Sequence, residues 1–120
     1  MLKRLKDKVA IVTGAGSVGP GWGNGKATAV LFAREGARIA AVDVNLEAAR
    51  ETVEIIESEG GTSIPIQTDV SDTAAVAEMV RECLAAFGRI DVLHNNVGIA
   101  ELGGAVELEE ELWDRVQAVN

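Results

Sequence analysis

The chain sets a five-residue apolar run, Val9-Ala10-Ile11-Val12-Thr13, directly against a glycine-rich loop, and that junction restricts its fold more than anything else in it. A short, continuously apolar run bounded by glycines suits a strand buried on both faces. Six glycines follow between residues 14 and 25 (Gly14, Gly16, Gly19, Gly21, Gly23, Gly25), and a helical pattern then runs from Lys26 to Glu35. Strand, glycine turn and helix together make a phosphate site. The glycines let the backbone approach a pyrophosphate closely, and the helix N-terminus offers N–H groups and positive potential. A P-loop is excluded, because Gly25-Lys26 is followed by Ala27 and no Ser or Thr stands there to hold magnesium.

The same alternation continues along the chain. Gly36 closes the first helix, and Arg38–Val42 reads as a second strand ending on Asp43. Leu46, Ala49, Val53 and Ile56 keep helical spacing in a segment from Leu46 to Glu59 that Gly60-Gly61 ends. Ser63–Gln67 is a third strand, and Pro65 within it points to a sheet edge. After the turn Asp69-Val70-Ser71-Asp72, whose Ser71 or Asp72 caps the next helix, Val76, Val80, Cys83, Leu84 and Phe87 share one helical face up to Gly88. Ile90–His94 is the fourth strand, and a last helix opens near Glu107 with Trp113 beside its apolar stripe. The βαβαβαβα order predicts one α/β domain over 1–120, a doubly wound parallel sheet in strand order 3-2-1-4, Rossmann-like and incomplete at its C-terminus.

Composition narrows the function. A net charge of -8 argues against a nucleic-acid partner. One cysteine and one histidine, Cys83 and His94, form neither a disulfide framework nor a metal cluster. No apolar stretch approaches a membrane span, and the basic N-terminus lacks the apolar core of a signal peptide. A cytoplasmic protein is expected. Cys83 is expected to be inert core, and His94 to pack rather than catalyse.

Asp43 carries the cofactor expectation. A carboxylate closing the second strand can accept both hydroxyls of an adenosine ribose and would repel a 2′-phosphate. Neither Val44 nor Asn45 is basic, so NAD is expected and NADP is the poorer fit. Asn45 can cap the following helix, which leaves Asp43 free for the ribose.

Thr13-Gly14-Ala15-Gly16-Ser17 followed by Gly23-Asn24-Gly25 resembles the Thr-Gly-x-x-x-Gly-x-Gly signature of the short-chain dehydrogenase/reductase family. Three more motifs fall in the family's order. Asp69-Val70 resembles the pair that holds adenine, Asn95-Asn96-Val97-Gly98 resembles Asn-Asn-Ala-Gly, and Asn120 lies 25 residues after Asn95 like the family's helical asparagine. The resemblance implies a homo-oligomeric enzyme that moves a hydride between a nicotinamide and a secondary alcohol or ketone. It assigns cofactor contacts to Gly14, Gly16, Ser17, Gly23, Asn24, Gly25, Asp43, Asp69, Val70, Asn96 and Gly98, and a place in the proton relay to Asn120.

Two departures stand out. Five residues, Val18 to Trp22, lengthen the phosphate loop and put Asp43 29 residues beyond Gly14. The chain also contains no tyrosine, so the family's Tyr-x-x-x-Lys pair is missing. The expectation is a front portion of such an enzyme, inactive by itself. The rival readings are a non-catalytic NAD-binding or sensing module and an S-adenosylmethionine-dependent methyltransferase, whose glycine loop and acid after the second strand look similar.

Overall fold

The computed structural model describes residues 3–16 and 23–96. Four strands and three helices alternate: β1 (Val9–Thr13), α1 (Asn24–Arg34), β2 (Arg38–Asp43), α2 (Leu46–Ser58), β3 (Thr62–Gln67), α3 (Thr73–Phe87) and β4 (Val92–Asn95). The sheet is parallel in the order β3-β2-β1-β4, the order expected from the sequence.

β1 shows why a continuously apolar strand belongs at the centre. All five of its residues are fully buried, and successive side chains enter opposite layers. Val9 and Ile11 join Ala40, Val42, Ile66, Val76, Met79, Val80, Cys83 and Ile90 on the α3 side. Ala10 and Val12 join Ala29, Val30, Ala33, Ile39, Ala41, Val53 and Ile56 on the α1–α2 side. The second layer is rich in alanine, which lets α1 and α2 lie close to the sheet. β3 is an edge, as Pro65 requires, since a missing N–H costs no ladder bond on the outer side.

The helix ends follow from single residues. Asn45 caps α2, its side chain accepting from the N–H groups of Glu47 and Ala48, and Asp72 rather than Ser71 caps α3 by accepting from Ala74 and Ala75. Gly36 and Gly60 take positive φ just past α1 and α2. In both places the two following N–H groups bond back to the last turn: Gly36 to Ala33 and Ala37 to Phe32, Gly60 to Glu57 and Gly61 to Ile56.

The starts of α1 and β4 and the buried stripe of α2 differ from the sequence reading. α1 begins at Asn24, two residues before Lys26, because the glycines at its start give no side-chain signal of a helix. In α2 the buried stripe is Ala48, Ala49, Thr52, Val53 and Ile56, with Leu46 only half-buried; the helix turns its small residues to the sheet. β4 begins at Val92 instead of Ile90. Ile90 is fully buried, but the carboxylate of Asp91 takes the N–H of Val9 at 2.9 Å and so occupies the place of a ladder bond. Among the described residues no helix is long and apolar enough to cross a membrane. The final helix near Glu107, with Trp113, and the Val18–Trp22 insertion lie outside the described residues.

Candidate cofactor site

Because the strands are parallel, Thr13, Asp43, Gln67 and Asn95 all end on one edge of the sheet, in register as Thr13 with Asn95 and Asp43 with Gln67. Ligands in open α/β sheets bind outside that edge, where the strand order reverses. Here the reversal falls between β1 and β4, which adjoin while being far apart in sequence. The structure brings Gly14, Gly16, Gly25, Asp43 and Asn96 together at that edge.

Three of the glycines have separate physical reasons. Gly14 turns the chain out of β1 at φ +62, a conformation that L side chains rarely adopt. Gly25, in the first turn of α1, crosses directly over Gly14; a Cβ there would overlap the Gly14 carbonyl oxygen and lie 2.8 Å from Asn96 Nδ2. Gly16 lies against α2, where a Cβ would run into Ala48. Gly23 is the N-cap of α1 and, lacking a side chain, provides no side-chain cap. Among the described residues no atom lies within 4 Å of the place its Cβ would take. A cradle built from missing side chains at a helix N-terminus fits a pyrophosphate.

Asp43 is half-buried and already engaged. Its Oδ2 accepts from the Gly16 N–H at 3.0 Å and its Oδ1 from the Asn45 N–H at 2.9 Å. The expectation of a free carboxylate is therefore corrected. Asn45 does cap α2, yet Asp43 also latches the glycine loop to the end of β2, with lone pairs still remaining on each oxygen. The Asp69 carboxyl is held below the usual carboxylate range by the Ser71 hydroxyl and then by the Ser71 N–H, both donating to Oδ1. Val70 packs partly buried against the α3-side core.

Thr13 is a residue whose role the sequence did not disclose. It is fully buried. Its hydroxyl donates to Asn95 Oδ1 at 2.9 Å and accepts from the Asn96 N–H at 3.1 Å. The glycine loop and the double asparagine are thereby fixed to each other. A threonine closing an apolar strand was the available signal, and strand propensity alone explains it equally well.

His94 sets its ring edge-on to Phe32 at 6.0 Å between centroids, a packing contact. Burial pushes the Cys83 thiol up to about 11. Among the described residues no group of His, Cys, Asp and Glu could hold a metal ion. Ser17, Gly98 and Asn120 lie outside the described residues.

Comparison with known proteins agrees with this architecture. The short chain dehydrogenase family matches residues 8–120. A D-threitol dehydrogenase of Mycolicibacterium smegmatis is 43% identical over 117 residues, 98% of this chain and 43% of its own length. A crystal structure from Burkholderia xenovorans, assigned to the short-chain dehydrogenases/reductases, is 47% identical with a TM-score of 0.77, covering 98% of this chain and 46% of that one. A Haemophilus influenza structure, assigned as a D-mannonate oxidoreductase with bound NAD, is 31% identical with a TM-score of 0.67, covering 74% and 30%. This chain spans less than half the length of each of these relatives. The glycine turn, the parallel sheet in order 3-2-1-4 and a family match running from Lys8 to Asn120 place the chain in the short chain dehydrogenase family.

Proposed function

We propose that this chain is the dinucleotide-binding portion of an NAD-dependent oxidoreductase acting on a secondary alcohol or ketone. Bound at this edge, a nicotinamide cofactor supplies the carbon that takes or gives a hydride. The residues of the chain hold, orient and discriminate. Gly14, Gly16, Gly23, Asn24 and Gly25, with Ser17, receive the pyrophosphate against the start of α1. Asp69 and Val70 meet the adenine, since Ser71 engages only Oδ1 of Asp69 and Oδ2 can accept from an amino group. Asn96 and Gly98 contact the cofactor, and Asn120 serves the proton relay, as the family resemblance implies.

Asp43 is the observation that carries NAD over NADP. It ends β2 at the site edge, its neighbours Val44 and Asn45 are neutral, and its charge opposes a 2′-phosphate. Like-charge juxtaposition costs several kcal/mol, so a preference of about a hundredfold or more follows. The relatives support the reading in kind, one being a D-threitol dehydrogenase and another holding NAD. Titration of NAD and NADP into the purified chain by calorimetry tests it: NAD is expected to bind tighter by that factor, and equal or tighter NADP binding would overturn it.

A further inference from the structure

We propose that Thr52, on the buried face of α2, is a positioning residue for this cofactor site, acting through the peptide group between Ala15 and Gly16. The inference rests on the cofactor reading above.

Thr52 is fully buried. A threonine inside a helix ordinarily returns its hydroxyl proton to the carbonyl one turn back. Here that contact, to Ala48, is 3.4 Å, whereas the bond to the Ala15 carbonyl across the layer is 2.8 Å. A hydroxyl has one proton to give, and the shorter bond takes it. The Ala15 carbonyl and the Gly16 N–H belong to a single peptide group. Its oxygen is held by Thr52 and its N–H by Asp43 Oδ2 at 3.0 Å. One peptide plane of the glycine loop is thus pinned at both ends, from α2 on one side and from the ribose-facing carboxylate on the other. Ala48, one turn before Thr52, closes against Gly16 and leaves no space for a side chain there. The preceding N–H, that of Ala15, is held by the Val42 carbonyl at 2.9 Å.

Removing the Thr52 hydroxyl orphans a buried carbonyl, and that group regains a partner only if the peptide rotates. Rotation withdraws the Gly16 N–H from Asp43 and changes where the carboxylate and the following loop stand. Thr52, enclosed behind the loop, reaches no part of a nucleotide, so its effect on binding is transmitted through this one peptide.

The test compares Thr52→Val, isosteric without the donor, with Thr52→Ser, which keeps it, in the whole chain. NAD affinity is measured by calorimetry, and amide hydrogen exchange at Gly16 is followed in the unliganded protein. Thr52→Val is expected to weaken NAD binding about tenfold and to speed Gly16 exchange by a similar factor, the loss of one hydrogen bond. Thr52→Ser is expected to restore both. Wild-type affinity with a protected Gly16 amide in Thr52→Val overturns the proposal. A Thr52→Ser variant as weak as Thr52→Val also overturns it, because the methyl group and not the hydroxyl would then matter. If Thr52→Val does not fold, Thr52→Cys, of similar size and a poor donor, takes its place under the same criteria. If the wild-type chain binds no NAD, the cofactor reading fails, and Gly16 exchange alone decides whether Thr52 positions the loop.

Discussion

The hydroxyl of Thr13 joins the ends of β1 and β4, donating to Asn95 Oδ1 at 2.9 Å across 82 residues of sequence. The same oxygen accepts the Asn96 N–H, so a single buried atom ties the start of the glycine loop to the double asparagine at the point where the strand order reverses. Thr13→Val keeps the shape and removes both bonds. It is expected to cost about 1–3 kcal/mol in urea denaturation, the penalty of leaving polar partners unpaired. Thr13→Ser should cost less than half as much.

Glycine positions in the loop differ sharply in what they tolerate. Gly25→Ala places a methyl on the Gly14 carbonyl, which is backbone and cannot move without shifting α1. Loss of measurable NAD binding and a drop in melting temperature are expected. Gly23→Ala adds a methyl near no described atom, at φ -78, and should leave melting within a few degrees of wild type. If the two variants melt alike, the close crossing of α1 over Gly14 is wrong.

Asp43 has a structural bond as well as a charge, so removing it does two things. Asp43→Asn loses the negative charge and keeps one acceptor oxygen, which serves the Gly16 N–H only by turning the NH2 toward the Asn45 N–H. It should narrow the NAD-to-NADP preference while costing NAD less than Asp43→Ala does. Asp43→Ala loses the Gly16 bond too and should weaken both cofactors, NAD by roughly tenfold more than Asp43→Asn does. Calorimetric titration of four pairs, two variants with two cofactors, separates latch from charge.

The stability of the β1–β4 junction should depend on pH through Asp91. Burial pushes its carboxyl up, but the bond from Arg89, the Val9 N–H and the charges of Arg89 and Lys8 outweigh this and hold it below the usual range. A carboxyl depressed in the folded state stabilises the fold above its unfolded value, near pH 4, and loses that contribution as pH falls through the folded value. Wild type should exceed Asp91→Asn by about 1–2 kcal/mol at pH 7, and the difference should shrink below pH 4. Denaturation midpoints measured from pH 7 to pH 3 give the comparison; a constant difference would refute it.

Cys83 should be silent to thiol reagents. Its thiol is fully enclosed and pushed up to about 11 by burial, and only a thiolate reacts. Ellman's reagent at pH 8 is expected to label the native chain no faster than the chain unfolds, and at once in urea.

Much of this architecture was legible because several signals coincide at the same residues. An apolar run ending on a glycine forced to positive φ fixes β1 and its turn, and glycines after three helices mark where each stops. The strand order followed from alternation and crossover handedness. What was not legible is the cross-layer polar chemistry. Thr52 sits in the helical pattern of α2 where an apolar residue would serve, and only the fold shows its hydroxyl reaching a carbonyl 37 residues earlier. Asp91 reads as a polar residue inside a strand, although its carboxylate replaces a ladder bond and so moves the start of β4. Asp43 stands out in the sequence for its charge, while its bond to Gly16 depends on how closely the loop folds back.

The central place of β1 has a consequence for how the molecule is made. Its partner on one side, β2, follows within a few tens of residues. The other side waits for β4, which arrives 82 residues after Thr13. At ribosomal rates of about 5–20 residues per second, that is a delay of roughly 4–16 s. Through that interval a fully apolar strand presents an unpaired edge, the feature most apt to recruit a strand from another chain. Translation speed between Asp43 and Val92 thus sets how long a nascent chain is open to mispairing, and slower synthesis there should lower soluble yield without changing the stability of the finished protein.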